Sequence, residues 1–293
     1  MRIVSLLPSA TEMICALGLR DDLVGVTHEC DFPASVRNLP KVTRTAIPVH
    51  ASSAEIDELV RRRFSEGLPL YELNAELLAD LRPDLIVTQA LCDVCAVSET
   101  DVRAAAAAMR PAPMVVNVAP SSLADVFVAM EDVARAAKLA DGGERVIGEL
   151  KRRVQSLVAR YQAAAPRASV VFLEWLDPLF CGGHWNPELV ALAGGIELIG
   201  KAGVASRRIE FDELRGADPD MIFIACCGYS QERAQADLPI LEAKAGWKDL
   251  KAVRNSRVYV ADGSSYFNRP GPRLVESLEM LAMAIQPGDS RMK

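Results

Sequence analysis

A stretch of helical pattern, a Pro-Asp turn and a run of apolar β-formers occur together twice in this chain, once in each half. The first copy is Glu76-Leu77-Leu78-Ala79-Asp80-Leu81-Arg82-Pro83-Asp84-Leu85-Ile86-Val87 and the second is Asp212-Glu213-Leu214-Arg215-Gly216-Ala217-Asp218-Pro219-Asp220-Met221-Ile222-Phe223. Proline cannot extend a helix and restricts the residue before it, so each copy reads as a helix end feeding a buried strand. Two further echoes keep the same order. A strand from Ile3 to Leu7 precedes a helix holding Glu12 to Gly18, as Val170 to Leu173 precedes Glu188 to Gly194. Met114 to Val118 and Arg257 to Val260 each lead through a Ser-containing turn into a long helix. Short Val/Ile-rich runs alternating with helical patterns are the signature of parallel sheets covered by helices. The expected fold is therefore α/β, with two Rossmann-like lobes built on mostly parallel sheets.

Between the halves, Ser122 to Lys138 and Glu144 to Ala164 read as helix, and Pro166 ends the second. The domain reading is an N-terminal lobe over 1–140, a bridging helix over 141–166 and a C-terminal lobe over 167–293. A helical connector is stiffer than a Gly/Ser linker, so the lobes are expected to rock by degrees around a ligand cleft. In open parallel sheets ligands sit beyond the carboxyl ends of the strands, which is where binding residues are sought.

The 293-residue length suits two domains better than one. A net charge of -6 leaves no cationic excess for a nucleic-acid partner, and Arg61-Arg62-Arg63 reads as a solvated helix end. Pro8, Ser9, Thr11 and Glu12 interrupt the apolar stretch from Ile3 to Leu19, which argues against a secretory signal. No run of 18 uninterrupted apolar residues suggests a membrane span. Seven cysteines, two of them adjacent, fit a reducing compartment better than a disulfide framework. The chain as written is expected to be cytoplasmic, or periplasmic if an export signal preceded it.

Catalytic templates fit poorly. Three histidines, with no Gly-x-Ser-x-Gly elbow, no Gly-rich phosphate loop and no His-Glu-x-x-His pair, point to a non-enzymatic role unless a metal or the thiols supply the chemistry. Chemistry-bearing residues instead gather at the expected strand ends. In Pro8 to Glu12, Ser9 and Glu12 have the spacing of a capping box. Thr27-His28-Glu29-Cys30-Asp31 sets an imidazole, two carboxylates and a thiol in one loop, which is either a ligand contact or a solvated turn.

After the strand from Leu85 to Thr88 come Leu91, Cys92, Asp93 and Cys95. This Cys-x-x-Cys suits a soft metal or a dithiol, with His28, Cys30, Cys181, His184, Cys226 and Cys227 as possible supplements. The same cysteines can equally be small buried apolar residues. Trp175, Phe180, Trp185, Tyr229, Tyr266 and Phe267 lie in the second-half loops and suit a large flat ligand, or else simply fill space between loops. Trp247 reads as core.

These segments resemble a known family. Arg2 to Glu12, Arg82-Pro83-Asp84-Leu85-Ile86-Val87, the bridging helix, Gly183-His184-Trp185-Asn186-Pro187-Glu188-Leu189 with Ala193-Gly194-Gly195, and Arg269-Pro270-Gly271-Pro272-Arg273 look like the helical-backbone (class III) substrate-binding proteins of ABC importers for cobalamin, haem and iron-siderophore complexes, nearest the cobalamin-binding branch. The resemblance implies a corrinoid in the cleft. Among the strand-end residues read above, such a site would draw on His28, Glu29, Cys30, Leu91, Cys92, Asp93, Trp175, His184, Trp185, Cys227, Tyr229, Tyr266, Phe267 and Arg269; His28, Cys30, Cys92 and Cys95 depart from the importer pattern, and they suggest that His28, Cys92 or Cys95 reaches the metal directly. The resemblance also implies docking to an ABC permease through Glu76 and Asp212 (or Glu213). A corrinoid-handling enzyme is the alternative partner. Haem or an iron-siderophore, paired with Arg207, Arg208 and Arg269, is a second ligand class, and zinc, copper or an iron-sulfur cluster held by the thiols is a third.

Overall fold

A computed structural model of the protein describes residues 1–48, 50–89, 97–161 and 167–286. The chain divides into two compact units, one comprising Met1–Pro120 with Ala124–Glu149 and the other Ser121–Leu123 with Leu150–Lys293.

The first unit is built on strands β1 (Ile3–Ser5), β2 (Leu23–Val26), β3 (Thr43–Thr45), β4 (Tyr71–Leu73), β5 (Leu85–Thr88) and β6 (Met114–Asn117). Four of them form a parallel sheet in the order β2-β1-β5-β6. Every residue of β1 and β5 is buried, Ser5 and Thr88 included, which is why these strands read as mostly apolar runs. Helices α1 (Pro8–Ala16), α2 (Ser53–Ser65), α3 (Ala75–Asp80), α4 (Glu99–Ala108) and α5 (Leu123–Ala136) complete this half of the chain. Val4, Leu6, Leu78, Ile86, Val102 and Ala106 join sheet and helices into one core. Strands β3 and β4 pair with each other, antiparallel, and flank α2.

The 22-residue α6 (Ala140–Tyr161) follows, and the division between the units falls within it, not at its start. Gly142-Gly143 conceals its first turn from a propensity reading. A Cβ at Gly143 would meet Ala134 Cβ at 2.7 Å, so glycine is the residue that the contact with α5 allows.

The second unit carries β7 (Ser169–Leu176), β8 (Leu179–Cys181), β9 (Ile196–Glu197), β10 (Met221–Ile224) and β11 (Val258–Val260). Its sheet order is β11-β10-β7-β8, with β9 also pairing β7. Helices α7 (Asn186–Leu192), α8 (Phe211–Ala217), α9 (Gln231–Glu242), α10 (Lys251–Arg254) and α11 (Leu274–Ile285) surround it. The rings of Phe172, Phe223 and Phe267 meet at centroid distances of 5.1 to 5.6 Å in its core.

The sequence echo is an echo of structure. Parallel neighbours β1, β5 and β6 correspond to β7, β10 and β11, while β2 and β9 each run parallel beside the first strand of their trio. The two Pro-Asp turns match in detail. Arg82 and Asp218, each just before the proline, adopt left-handed φ values of 43° and 37°. Asp84 Oδ2 accepts from the Arg2 backbone N–H at 2.7 Å, and Asp220 Oδ2 from that of Ser169 at 2.9 Å. Each aspartate thus ties the start of its unit's first strand to the strand that follows the turn. The Lys251 ammonium and the Ser169 bonds hold the Asp220 carboxyl down at about 2, with the lysine bond the larger cause.

One local expectation fails. Pro8 occupies the first helical position, where its missing N–H costs nothing, so Leu7 is the N-cap of α1 and Ser9 caps nothing. A capping box forms instead at α2, between Ser52 and Glu55.

Candidate functional site

At the carboxyl edge of the first sheet the chain leaves β2 through Thr27 and His28. The segment after Pro40 runs beside β2, with Val42 N–H donating to Val26 O at 2.9 Å, and so delivers Thr43 to His28. Thr43 Oγ1 accepts from the His28 backbone N–H at 3.1 Å, lies 2.8 Å from His28 Nδ1 and lies 2.7 Å from Thr27 Oγ1. The ring rests 5.6 Å from that of Tyr71, whose hydroxyl donates to Glu29 Oε1 at 3.4 Å. Burial, and secondarily the charge of Lys41, hold the imidazole below its usual pKa, favouring the neutral form.

His28 Nε2 is buried and has no hydrogen-bond partner; the nearest carboxylate, Glu29 Oε1, is 3.9 Å away. Ser9 Oγ, Thr88 Oγ1 and Asn117 Oδ1 are also buried and unbonded. Ser9 follows β1, Thr88 ends β5, Asn117 ends β6, and Thr88 and Asn117 are register partners. Four unsatisfied polar atoms thus occupy the carboxyl edge of one sheet, where buried polar groups are otherwise nearly always bonded.

Other expected residues of this unit are placed differently. Glu29 is exposed. Cys30 is buried with its thiol 3.0 Å from Thr11 Oγ1, so it serves the contact between its loop and α1. Leu91, Cys92, Asp93 and Cys95 lie outside the described residues. Glu76 is exposed in the first turn of α3, as Asp212 is in the first turn of α8, where it pairs with Arg215 at 2.9 Å.

The strand ends of the second unit gather the aromatics into two groups. Half-buried Trp175 lies 4.8 Å from the Tyr229 ring and donates from Nε1 to Asp177 O at 3.0 Å. Arg233 stacks on the other ring of this pair, 4.7 Å from the Tyr229 centroid, and Arg273 lies 5.3 Å from that of Tyr266. Ser264 N–H donates to Tyr229 O, which joins the loops after β10 and β11. Arg269 is nearly buried and reaches Ser264 Oγ at 3.4 Å.

Trp185 and Phe267 belong elsewhere. Trp185 is buried with Nε1 donating to Phe267 O at 2.7 Å, and Phe267 is wholly enclosed among Phe172 and Phe223. These two rings are core and offer no open face, because the second sheet needs aromatic volume behind its strand ends. Trp247 is buried, as its pattern suggests. Of the paired thiols Cys226 is buried, with burial pushing its pKa up to about 12, while Cys227 is exposed. Burial likewise raises Cys181.

His184 sits in a left-handed conformation, φ 50°, with its ring 5.5 Å from that of Trp185, and burial lowers its pKa. Two glutamates that no sequence pattern singled out brace the second unit's loops, Glu174 the one that carries His184 and Glu197 the one after β9. Glu174 Oε1 accepts from Gly183 N–H at 3.1 Å and from Asn186 Nδ2 at 2.6 Å. Glu197 accepts from the backbone of Phe172, Ile199 and Gly200 at 3.0 to 3.1 Å. Burial raises both carboxyls, Glu197 to about 7. The visible signal for Glu174 is a carboxylate inside the apolar run Val170 to Leu176; Thr43 and Tyr71 give none.

Among the described residues no group of three or more His, Cys, Asp or Glu side chains is placed to hold a metal ion, and no helix is long and apolar enough to cross a membrane. The first unit offers a neutral imidazole beside hydroxyls, an amide and the Glu29 carboxylate, and the second offers ring faces beside guanidinium groups.

The chain is 23% identical over 282 residues, 96% of its own length and 87% of the other's, to a vitamin B12-binding protein of Vibrio cholerae. It is 26% identical over 300 residues, 98% of its length and 80% of the other's, to an uncharacterised ABC transporter substrate-binding lipoprotein of Bacillus subtilis. It shares its fold with the periplasmic haem-binding protein of Roseiflexus sp. RS-1, with a TM-score of 0.72, 21% identity and 98% of each chain covered. None of these relatives supports the expectation of a cytoplasmic carrier. The family model described as periplasmic binding protein matches residues 3–264, and the chain belongs to that family of substrate-binding proteins.

Proposed function

We propose that the protein binds a corrinoid at its strand-end loops, without chemical conversion, and delivers it to an ABC importer. The observation that carries this reading is the row of unbonded polar atoms on Ser9, His28, Thr88 and Asn117 at the carboxyl edge of the first sheet. These groups are uncharged or neutral, and the rim of a corrin ring is a circle of neutral amides able to donate to and accept from them. The second unit separately presents the flat rings of Trp175, Tyr229 and Tyr266, the kind of surface on which such a ring stacks. The similarity to a vitamin B12-binding protein supports the same ligand. Burial keeps the thiols of Cys181 and Cys226 protonated, which weighs against a cluster or zinc held by these two.

Titrating the purified protein with aquocobalamin in a calorimeter tests the proposal. Saturable heat at one equivalent is expected; no heat sinks it. Haem or an iron-siderophore is the second reading, favoured by one observation: Arg233 and Arg273 lie against the rings of Tyr229 and Tyr266, with Arg269 on Ser264 nearby in sequence, a setting for carboxylates or catecholates. Haemin that displaces aquocobalamin and binds more tightly would select that reading. Exposed Glu76 and Asp212, at matching positions of the repeat, are the proposed contacts to the permease. The family description and the ABC-linked relative favour an exported, periplasmic setting.

A further inference from the structure

The strands at the ends of the two sheet orders are β2 and β6 in the first unit and β8 and β11 in the second. A sheet edge presents a row of unpaired backbone groups, and folded proteins cover, block or charge such edges. Three of these edges are engaged. The segment after Pro40 runs beside β2, with Val26 N–H donating to Pro40 O and Val42 N–H to Val26 O, both at 2.9 Å. Arg207 to Ile209 runs beside β8, with Cys181 N–H donating to Arg207 O at 3.0 Å and Ile209 N–H to Leu179 O at 2.9 Å. On β11 the Gln231 side chain donates to Val260 O at 3.0 Å.

Strand β6 has no such cover among the described residues. Met114 N–H donates to Asp84 O and Val118 N–H to Thr88 O, so Met114, Val116 and Val118 turn their backbone groups to β5. Backbone direction alternates along a strand, which turns the N–H and C=O of Val115 and Asn117 to the open side. The strand reads Met-Val-Val-Asn, with no charge or proline to block it, and Met114 is 55% exposed. Beside it runs a groove lined by Met114 and Val116 from the strand and by Asp132, Arg135 and Ala136 from α5. Val128, one helical turn before Asp132, is 52% exposed. Asp132 and Arg135 pair at 2.6 Å on the rim.

We propose that β6 is the contact of a homodimer, in which two copies pair this strand antiparallel about a two-fold axis at Val116. The occupant is a second copy because the edge is complementary to itself. Val115 and Asn117 lie symmetrically about Val116, so Val115 of each copy meets Asn117 of the other and the two exchange both N–H···O bonds. The same rotation sets the Asp132–Arg135 pair of one copy against that of the other in reverse order, carboxylate to guanidinium on both sides of the axis. Pairing of β6 with β11 of another copy would be a heterologous contact that propagates as a chain. The Gln231 bond on Val260 O occupies that edge, so the assembly closes as a dimer. Nothing in this interface depends on the ligand.

Sedimentation equilibrium of the full chain from about 1 μM to 1 mM spans the affinities of an interface at the small end of the size range. Wild type should pass from monomer to dimer within that range and go no further. Val115→Pro removes an outward N–H and sets a ring in its place, a change that an edge strand accepts within one copy. It should stay monomeric throughout. Asp132→Arg and Arg135→Asp each set like charges against one another across the axis and should each weaken the dimer at least about 10-fold. Mixed in equal amounts, these two variants restore opposite charges on both sides, and the mixture should dimerise as wild type does, which requires both to be folded. A wild type that is monomeric throughout overturns the proposal. So does a Val115→Pro variant that dimerises normally, or a mixture no more associated than its components.

Discussion

Glu197 is a residue whose chemistry runs against its surroundings. Its carboxyl, enclosed at the start of the loop that carries Ile199 and Gly200, is raised by burial to about 7, with Glu174 adding repulsion. Its folded pKa lies above that of the unfolded chain, so the fold holds a proton that the unfolded chain has already released. The stability this carboxyl contributes is present in full below about pH 4.5 and is lost as pH rises through about 7. The shift corresponds to at most about 3 kcal/mol, reduced where solvent screens the residue. His28 and His184, both depressed, act in the opposite direction, losing stability as pH falls below about 6.5. Urea unfolding of wild type and Glu197→Gln between pH 4.5 and 8 separates these contributions. The difference between the two proteins should shift in favour of the variant as pH rises, and a difference independent of pH would show that the carboxyl does not titrate there. Gly263 makes a steric prediction at the same scale. A Cβ there would meet Cys226 O at 2.1 Å, a backbone atom with nowhere to go, so Gly263→Ala should cost about 1–3 kcal/mol in urea unfolding.

Helix α6 shows the opposite case. Gly148 lies within it, and a methyl group added there would meet nothing within 4 Å, so Gly148→Ala should stabilise the protein by about 0.5–1 kcal/mol in the same assay. The contrast with Gly143, which α5 requires, separates a glycine kept for contact from one that only weakens the helix. At this scale the sequence is legible where local chemistry decides the outcome. The apolar run from Leu85 to Thr88 locates β5 at its observed bounds, and the Pro-Asp turns place α3 and α8. It is illegible where distant partners decide. The antiparallel pair β3–β4 owes its existence to a register between Thr43–Thr45 and Tyr71–Leu73 that no local pattern announces. The same holds for the site. His28 stands out as an imidazole in a polar loop, whereas Thr43 and Tyr71, which hold its ring, look like ordinary strand residues. Trp185 and Phe267 fail in the reverse sense, since composition marks an aromatic without saying which side of a sheet receives it.

For the whole molecule, family membership and the repeat converge on a protein whose work is binding and presentation. A ligand that binds only the folded state adds RT ln(1 + [L]/Kd) to stability, about 2.7 kcal/mol at a hundredfold excess over Kd. Aquocobalamin should therefore raise the thermal midpoint in a dose-dependent way. Presentation can be tested apart from binding because Glu76 and Asp212 are exposed in the first turns of α3 and α8, and none of the unbonded atoms belongs to either helix. Reversing both charges, Glu76→Lys with Asp212→Lys, should leave the ligand-induced rise intact to within about 1 kcal/mol, since each is a surface substitution. Transport by a reconstituted importer should fall sharply in the same variant. A double variant that transports normally would remove these residues from the docking surface, and one that lost the thermal rise would place them in the ligand site instead.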